Sequence, residues 1–367
     1  MAFVNYAGTK KASSENEMAE IASIWYRTTD DNQEENLTMY MNRRNLLKRA
    51  SRVALAARLL SPLHAACEES RDDKGLQSSV PIVDTHQHLW DLSKFKLTWL
   101  EPPLDRSFTT RDYIEASRGL NIVKAVYMEV AVAPEQKLAE AKYVVRMCAD
   151  KGNPTCAAVI GGLILEDSFK DYIVQFKGDP YIKGVRYGLN DPKQLQDDRL
   201  IQNLRLLGSL NMSFDLLVPP RLIGQAAKLV ERCGDTRFIL DHCGNADPLA
   251  FDRTLDWGRE PQHDADHWKQ DIETLARPTN VICKISGIIA RVPKGKVNTE
   301  VLAPIVTHCL DKFGPDRVVF GSDWPVCTRE ATLHVWTNLL REIVQKRPSE
   351  EKNKFFWSNA HRFYGLS

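Results

Sequence analysis

The sequence predicts a (β/α)₈ barrel, a TIM-like member of the α/β class, on three observations. Eight short, β-branched apolar runs alternate with amphipathic stretches from residue 81 to the end of the chain. The alternation occupies about 285 residues, the size of such a barrel. Ionisable residues collect where several of the runs end, which is where a barrel keeps its chemistry. Periodicity alone does not show closure, so a doubly wound open sheet stays as the alternative. Against it, no glycine-rich phosphate loop follows the first run.

The expected strands are Ile82–Thr85, Val123–Val130, Cys156–Leu163, Gly184–Tyr187, Ser213–Leu217, Phe238–Asp241, Val281–Ile285 and Val318–Gly321. Between them, apolar residues recur at three- and four-residue spacing over Gln136–Ala149, Leu200–Leu210, Arg221–Cys233, Trp268–Ala276, Thr299–Phe313 and Ala331–Lys346. Such stretches suit helices that cover a sheet with one face. The chain closes with Phe355–Leu366, a short aromatic-rich helix expected on the barrel wall.

The bulk numbers exclude several functions. Lys and Arg (49) nearly balance Asp and Glu (48) in the 367 residues, so overall charge predicts no nucleic-acid or anionic-membrane partner. No run of 18 apolar residues marks a transmembrane helix. The eight cysteines form no C-x-x-C pair, which leaves them as buried small hydrophobes rather than a zinc or disulfide framework. A small-molecule substrate is the expected partner; the sequence says nothing of oligomeric state.

Residues 1–80 read as an extension to a domain spanning 81–367. Met41 is followed by Asn42, Arg43, Arg44, Asn45, Leu46, Leu47 and Lys48, and the expectation is that Met41 is the biological start. The arginine pair resembles a twin-arginine export signal over 41–67. Its apolar region, Val53–Leu60, is interrupted by Arg58. His64-Ala65-Ala66-Cys67 looks like an imperfect lipoprotein cleavage box, so export with a lipid anchor at Cys67 is the expectation; a basic tail on a cytoplasmic protein is the alternative. Residues 68–79 read as a solvated linker.

The first strand runs into Asp84-Thr85-His86-Gln87-His88, where a period of two puts Asp84, His86 and His88 on one side. Two imidazoles so placed are a natural pair of metal ligands. The sixth strand ends at Asp241-His242 and the eighth at Ser322-Asp323-Trp324. A lone strand-end histidine is more often a satisfied core residue than a ligand. His86, His88, His242 and Asp323, at matching positions on three strands, point instead to one site.

His-x-His on the first strand, LDHCG on the sixth, CKISG on the seventh and FGSDWP on the eighth resemble the amidohydrolase-related branch of the amidohydrolase superfamily. More narrowly, the chain is similar to the sugar-acid and dicarboxylate lactonases, namely fuconolactonase, rhamnonolactonase and 2-pyrone-4,6-dicarboxylate lactonase. HLWDLSKFKLTWL, IKGVRYGL and the closing NAHRFYGL extend the likeness over roughly residues 81–367. The resemblance implies hydrolysis at a carbonyl carbon, with Asp323 activating water. It places His86, His88 and His242 at metal-ligand or carbonyl-polarising positions. The two-metal members' carbamylated lysine and fifth-strand histidine have no counterpart; Lys183 precedes its strand and is expected to face solvent. One divalent metal, Zn²⁺ by preference, or metal-free catalysis is therefore implied.

Other assignments rest on position. Arg186 and Tyr187 suit a substrate carboxylate or hydroxyl, with a structural salt bridge of Arg186 as the equal alternative. Trp90, Trp99 and Trp324 are candidates for pocket walls or for packing under loops. Asp84 would orient a histidine from behind. His263 and His267 are expected at the surface. A metal-dependent decarboxylase of the same branch would use the same His and Asp positions, and a non-catalytic binding lipoprotein is the remaining alternative.

Overall fold

All eight expected strands form, in one parallel sheet ordered β1 to β8. The computed structural model describes residues 80–252 and 257–366; the export segment 41–67 and the linker 68–79 lie outside them. The strands are β1 Ile82–Gln87, β2 Ile122–Met128, β3 Thr155–Gly161, β4 Ile182–Gly188, β5 Ser213–Leu217, β6 Arg237–Leu240, β7 Val281–Ile285 and β8 Val318–Phe320. The ends of the sheet meet. Asp323 N–H donates to His86 O and His88 N–H to Trp324 O, both at 2.8 Å, and Gln87 bridges Trp324 in parallel. That seam closes the barrel and removes the open-sheet alternative.

Each strand is followed by a helix: α1 Thr110–Ser117, α2 Lys137–Ala149, α3 Phe169–Ile173, α4 Asp198–Ser209, α5 Ile223–Glu231, α6 Ala265–Leu275, α7 Thr299–Phe313 and α8 Leu333–Ile343. Helices α1 and α3 were not among the periodic stretches because they are too short to repeat an apolar face. A local signal did mark α1: Thr109 and Asp112 form a capping box, Asp112 accepting from the Thr109 N–H at 2.8 Å. Capping also explains shifted starts. Asp264 accepts from the N–H groups of Asp266 and His267, so α6 begins before Trp268. The 3₁₀ turn Pro220–Leu222 delays α5.

Two apolar layers sandwich the barrel wall. Outside, the helices pack on the outward-facing residues. Inside, Val83, Val126, Ala157, Val159, Ile239, Ile282 and Val319 fill the end from which the strands start. The C-terminal segment completes this floor through α9 Ser349–Asn353, a π turn at Lys354–Ser358, and α10 Asn359–Tyr364. Ala360 and Tyr364 belong to the interior cluster, while Phe355 and Phe356 pack against Phe320. The segment thus plugs the barrel as well as lining its wall. Lys183, expected in solvent, is half-buried and donates to Gly365 O at 3.2 Å, tying β4 to this plug.

Candidate active site

A register shift in β1 builds the first part of the site. Asp84 pairs with Ala125 and Gln87 with Tyr127, so three steps on β1 oppose two on β2. The bulge reverses the side-chain alternation. Asp84 turns out of the barrel, where its Oδ2 accepts from Tyr113 Oη of α1 at 2.7 Å. His86 turns in. The uniform period-two expectation for Asp84, His86 and His88 is therefore corrected: Asp84 touches no imidazole. Its Oδ1 accepts from the N–H groups of His86 (3.1 Å) and Ser322 (2.7 Å), pinning both edges of the β1–β8 seam.

At that seam the four predicted residues converge. His86 Nε2 lies 3.1 Å from His88 Nε2. Asp323 Oδ1 lies 3.6 Å from the first and 3.3 Å from the second. Ligand atoms of His86, His242 and Asp323 fall within 4.8 Å of one another. The rings are fixed from behind, His88 donating from Nδ1 to Met128 O at 3.0 Å and His242 Nδ1 meeting Ser286 Oγ at 2.9 Å. Gly321 makes room on β8, since a Cβ there would stand 2.8 Å from that of His86.

His242 is held by an unusual backbone. His242, Cys243, Gly244 and Asn245 have φ of +54°, +54°, +67° and +56°, a left-handed turn. Such a conformation costs a non-glycine residue roughly 1–2 kcal/mol. Its neighbours over-determine it: Trp268 Nε1 donates to Cys243 O at 3.1 Å and Asn245 Nδ2 to Val218 O at 2.8 Å. The Cys243 thiol is buried beside those of Cys283 and Cys309. Asp323 also has positive φ, +55°. Backbone strain held in place by packing collects at functional sites.

The sequence matches the amidohydrolase family over residues 83–366. The chain belongs to the amidohydrolase family. It is 24% identical to an L-fucono-1,5-lactonase of Burkholderia multivorans, over 77% of this chain and 96% of that protein. An L-rhamnono-gamma-lactonase of Scheffersomyces stipitis is 22% identical, with 79% and 100% covered. A zinc-bound amidohydrolase of B. multivorans superposes with a TM-score of 0.67 at 21% identity, covering 78% of this chain and all of that one, which shows the shared fold.

In this amidohydrolase the histidines sit over charged residues, most of which the sequence reading did not single out. Lys284 on β7 is fully buried and donates to Asp215 Oδ2 of β5 (2.5 Å) and to Asp241 Oδ1 (2.9 Å). Arg186 of β4 donates from Nε to Glu129 Oε1 and from Nη2 to Glu129 O, both at 2.9 Å. Its Nη1 reaches within 3.4 Å of His86 Nε2. Arg186 thus forms the buried ion pair expected as one alternative, and its Nη1 edge faces His86. Asp215, Asp241 and Lys284 had a signal: charged residues in the middle or at the end of otherwise apolar strands.

The electrostatics follow from burial. Burial holds the His86 and His242 pKa values below the ordinary imidazole value, so both rings are neutral at pH 7. Asp323 is held below the usual carboxylate range: burial opposes this, and the imidazoles of His242, His88 and His86 outweigh it. Burial raises the Asp215 carboxyl to about 7.

Three assignments change. Tyr187 packs with the outer core, opposite in alternation to Arg186, and leaves the substrate-binding set. Trp90 and Trp324 are buried by packing under the loops, the alternative expected for them. Trp90 packs on Trp99 and Phe108, and Trp324 on Phe108 and Tyr113, an aromatic wedge behind the seam. His267 is at the surface as expected, whereas half-buried His263 accepts from the Asp247 N–H at 2.8 Å and stacks on Trp268.

Proposed function

We propose that this amidohydrolase opens a lactone ring by attack of water on the ester carbonyl, with Asp323 as general base and then general acid. The observation that carries the reading is the Asp323 carboxylate held ionised within 3.3–3.6 Å of two imidazole nitrogens, with a third imidazole beside them. An ionised, buried carboxylate accepts the proton of the attacking water and returns it to the leaving oxygen. His242 and the Arg186 edge beside His86 would supply donors for the charge that develops on the carbonyl oxygen, and donors fixed in advance stabilise such charge. The lactonase relatives support the ester bond as substrate.

The donor set fits one divalent ion. His88 Nδ1–H is committed to Met128 O, so the neutral ring presents a lone pair at Nε2. His86 places Nε2 3.1 Å from that nitrogen, and with Nε2 on a metal its other ring nitrogen would keep its proton beside Asp241 Oδ1, 3.5 Å away. Two lone pairs and a carboxylate oxygen then face one another at 3.1, 3.3 and 3.6 Å. Ligands 2.0–2.1 Å from a tetrahedral zinc sit about 3.3–3.4 Å apart. Bound by His86, His88 and Asp323, with His242 adjacent, zinc would supply Lewis acidity and an acidified water.

The test is metal content per chain after purification without added metal, paired with aldonolactone hydrolysis before and after chelation. About one zinc per chain, with activity lost on chelation and restored by zinc, is expected. Activity that survives removal of all metal would leave the histidines as hydrogen-bond donors. Release of CO₂ from an aromatic acid, with no lactone opened, would overturn the reading in favour of a decarboxylase. The twin-arginine segment further proposes export, checked by sequencing the mature N-terminus; an intact Met41 would sink it.

A further inference from the structure

We propose that Glu129 is a positioning residue that holds the Arg186 guanidinium with one edge toward the site, reaching it across the gap left by Gly161. The kinetic consequence rests on the lactonase reading; the holding of the guanidinium does not.

Glu129 follows β2 and Arg186 lies on β4, two strands that are not neighbours. Between them runs β3, where Gly161 is the residue in register with Arg186. With no side chain there, the Glu129 carboxylate passes over β3 and meets Arg186. A Cβ on Gly161 would stand 3.0 Å from Glu129 Oε2 and 2.9 Å from Lys137 Nζ, closer than either can accept without moving.

The carboxylate is itself fixed. Its Oε1 accepts from Arg186 Nε at 2.9 Å and its Oε2 from the Ala131 N–H at 2.8 Å. Ala131 has φ of +51°, a left-handed conformation that persists only where its surroundings over-determine it. Lys137 Nζ stands 3.8 Å from Oε2. The backbone oxygen of Glu129 takes Arg186 Nη2 at 2.9 Å. Two of the three guanidinium nitrogens are thus committed to one residue, and Nη1 is left 3.4 Å from His86 Nε2.

The rival for this cation is Asp241. Its Oδ2 is buried, 3.7 Å from Nη1 and without a hydrogen-bond partner among the described residues. When the Glu129 contact weakens, the planar guanidinium turns toward Asp241 and its edge leaves the site. Glu129→Gln weakens that contact at constant size. An amide has one acceptor oxygen where a carboxylate has two, and Arg186 and the Ala131 N–H occupy both.

The first readout needs neither substrate nor metal, so failure here and failure of the lactonase reading are distinguishable. Full-length protein is labelled with ¹⁵N-arginine, and the Arg186 signals are assigned by their loss in Arg186→Lys. Wild type is expected to show an Nε–H protected from solvent exchange and separate Nη1 and Nη2 signals, the mark of a guanidinium that does not rotate. Glu129→Gln is expected to merge those signals and to lower kcat for aldonolactone hydrolysis by about 100-fold. KM should change little, because the Nη1 edge serves charge that develops only in the transition state. Gly161→Ala keeps every charge, so it separates misplacement from the loss of a buried ion pair, and should move both readouts the same way. In an Arg186→Lys background, Glu129→Gln should lower kcat no further. An unchanged Arg186 pattern in Glu129→Gln overturns the proposal, as does a kcat that survives there while KM alone rises. A guanidinium ordered in wild type and freed in both variants, with no lactone opened by any of them, would keep the positioning and sink the lactonase reading.

Discussion

Ile239 and Asp241 lie two positions apart and both point into the barrel, as do Ile282 and Lys284 on β7; Val319 of β8 points in as well, and Gly321 follows two positions on. The first of each pair belongs to the apolar floor; the second to a layer of charge, or at Gly321 of close approach to His86, beneath the histidines. The floor is apolar, filled mostly by branched side chains and plugged by α10. One step along the same strands, the interior holds Asp215, Asp241, Lys284 and Arg186 in place of packing. Apolar burial drives folding, whereas a buried ion pair returns little net stability for its desolvation cost. The contrast teaches a division of labour: the floor holds the barrel shut, and the polar layer spends stability to aim side chains at the mouth.

The largest effect that would break the comparison is at Asp323. Asp323→Asn removes the proposed base while keeping its shape, and lactone hydrolysis should fall about 10²–10⁴-fold. The denaturant midpoint should barely move. An active Asp323→Asn enzyme would show that the polar layer is not where the chemistry happens. Ile282→Ala inverts the pattern: emptying the floor should cost about 2–5 kcal/mol in a denaturant titration, with kcat retained in the protein that stays folded. Gly287→Ala falls between them. Its φ is +68° and a Cβ would stand 2.3 Å from His242 Nδ1, so the ring must shift. A misplacement near 1 Å costs about 100-fold in rate, and a matching loss of kcat/KM with the fold intact would place His242 in the machinery.

How much of this was legible depended on whether a feature is periodic. The eight strands and the long helices repeat an apolar face often enough to be read directly, and strand-end position found His86, His88, His242 and Asp323. The bulge in β1 was not legible, because nothing in Val83-Asp84-Thr85-His86 distinguishes a reversed alternation from a regular one; it is set by pairing with β2. Asp84 was misplaced for that reason. The tryptophans flank the motifs in sequence but pack behind the seam, a matter of tertiary contact. Lys284 lay in plain view inside CKISG, and a lysine in mid-strand was the signal that asked for buried carboxylate partners.

The smallest expected effect sharpens the comparison by testing a polar residue that is buried outside the barrel. Glu140 of α2 accepts from Tyr127 Oη and the Val130 N–H, both at 2.9 Å, and steadies the loop after β2. Burial, and then the charge of Glu129, raise its carboxyl from the ordinary 4.5 to about 7. Between those values the folded protein keeps a proton that the unfolded chain releases, so stability falls as pH rises. The contribution is fully present below pH 4.5 and gone once the pH has passed about 7. Glu140→Gln cannot titrate. The stability of wild type relative to Glu140→Gln should therefore decline across that window, by up to about 3 kcal/mol at 1.36 kcal/mol per unit. Lactonase activity measured at one pH should stay within a few-fold. A flat difference across the window would mean that Glu140 is ionised in the fold, its charge held by Lys137.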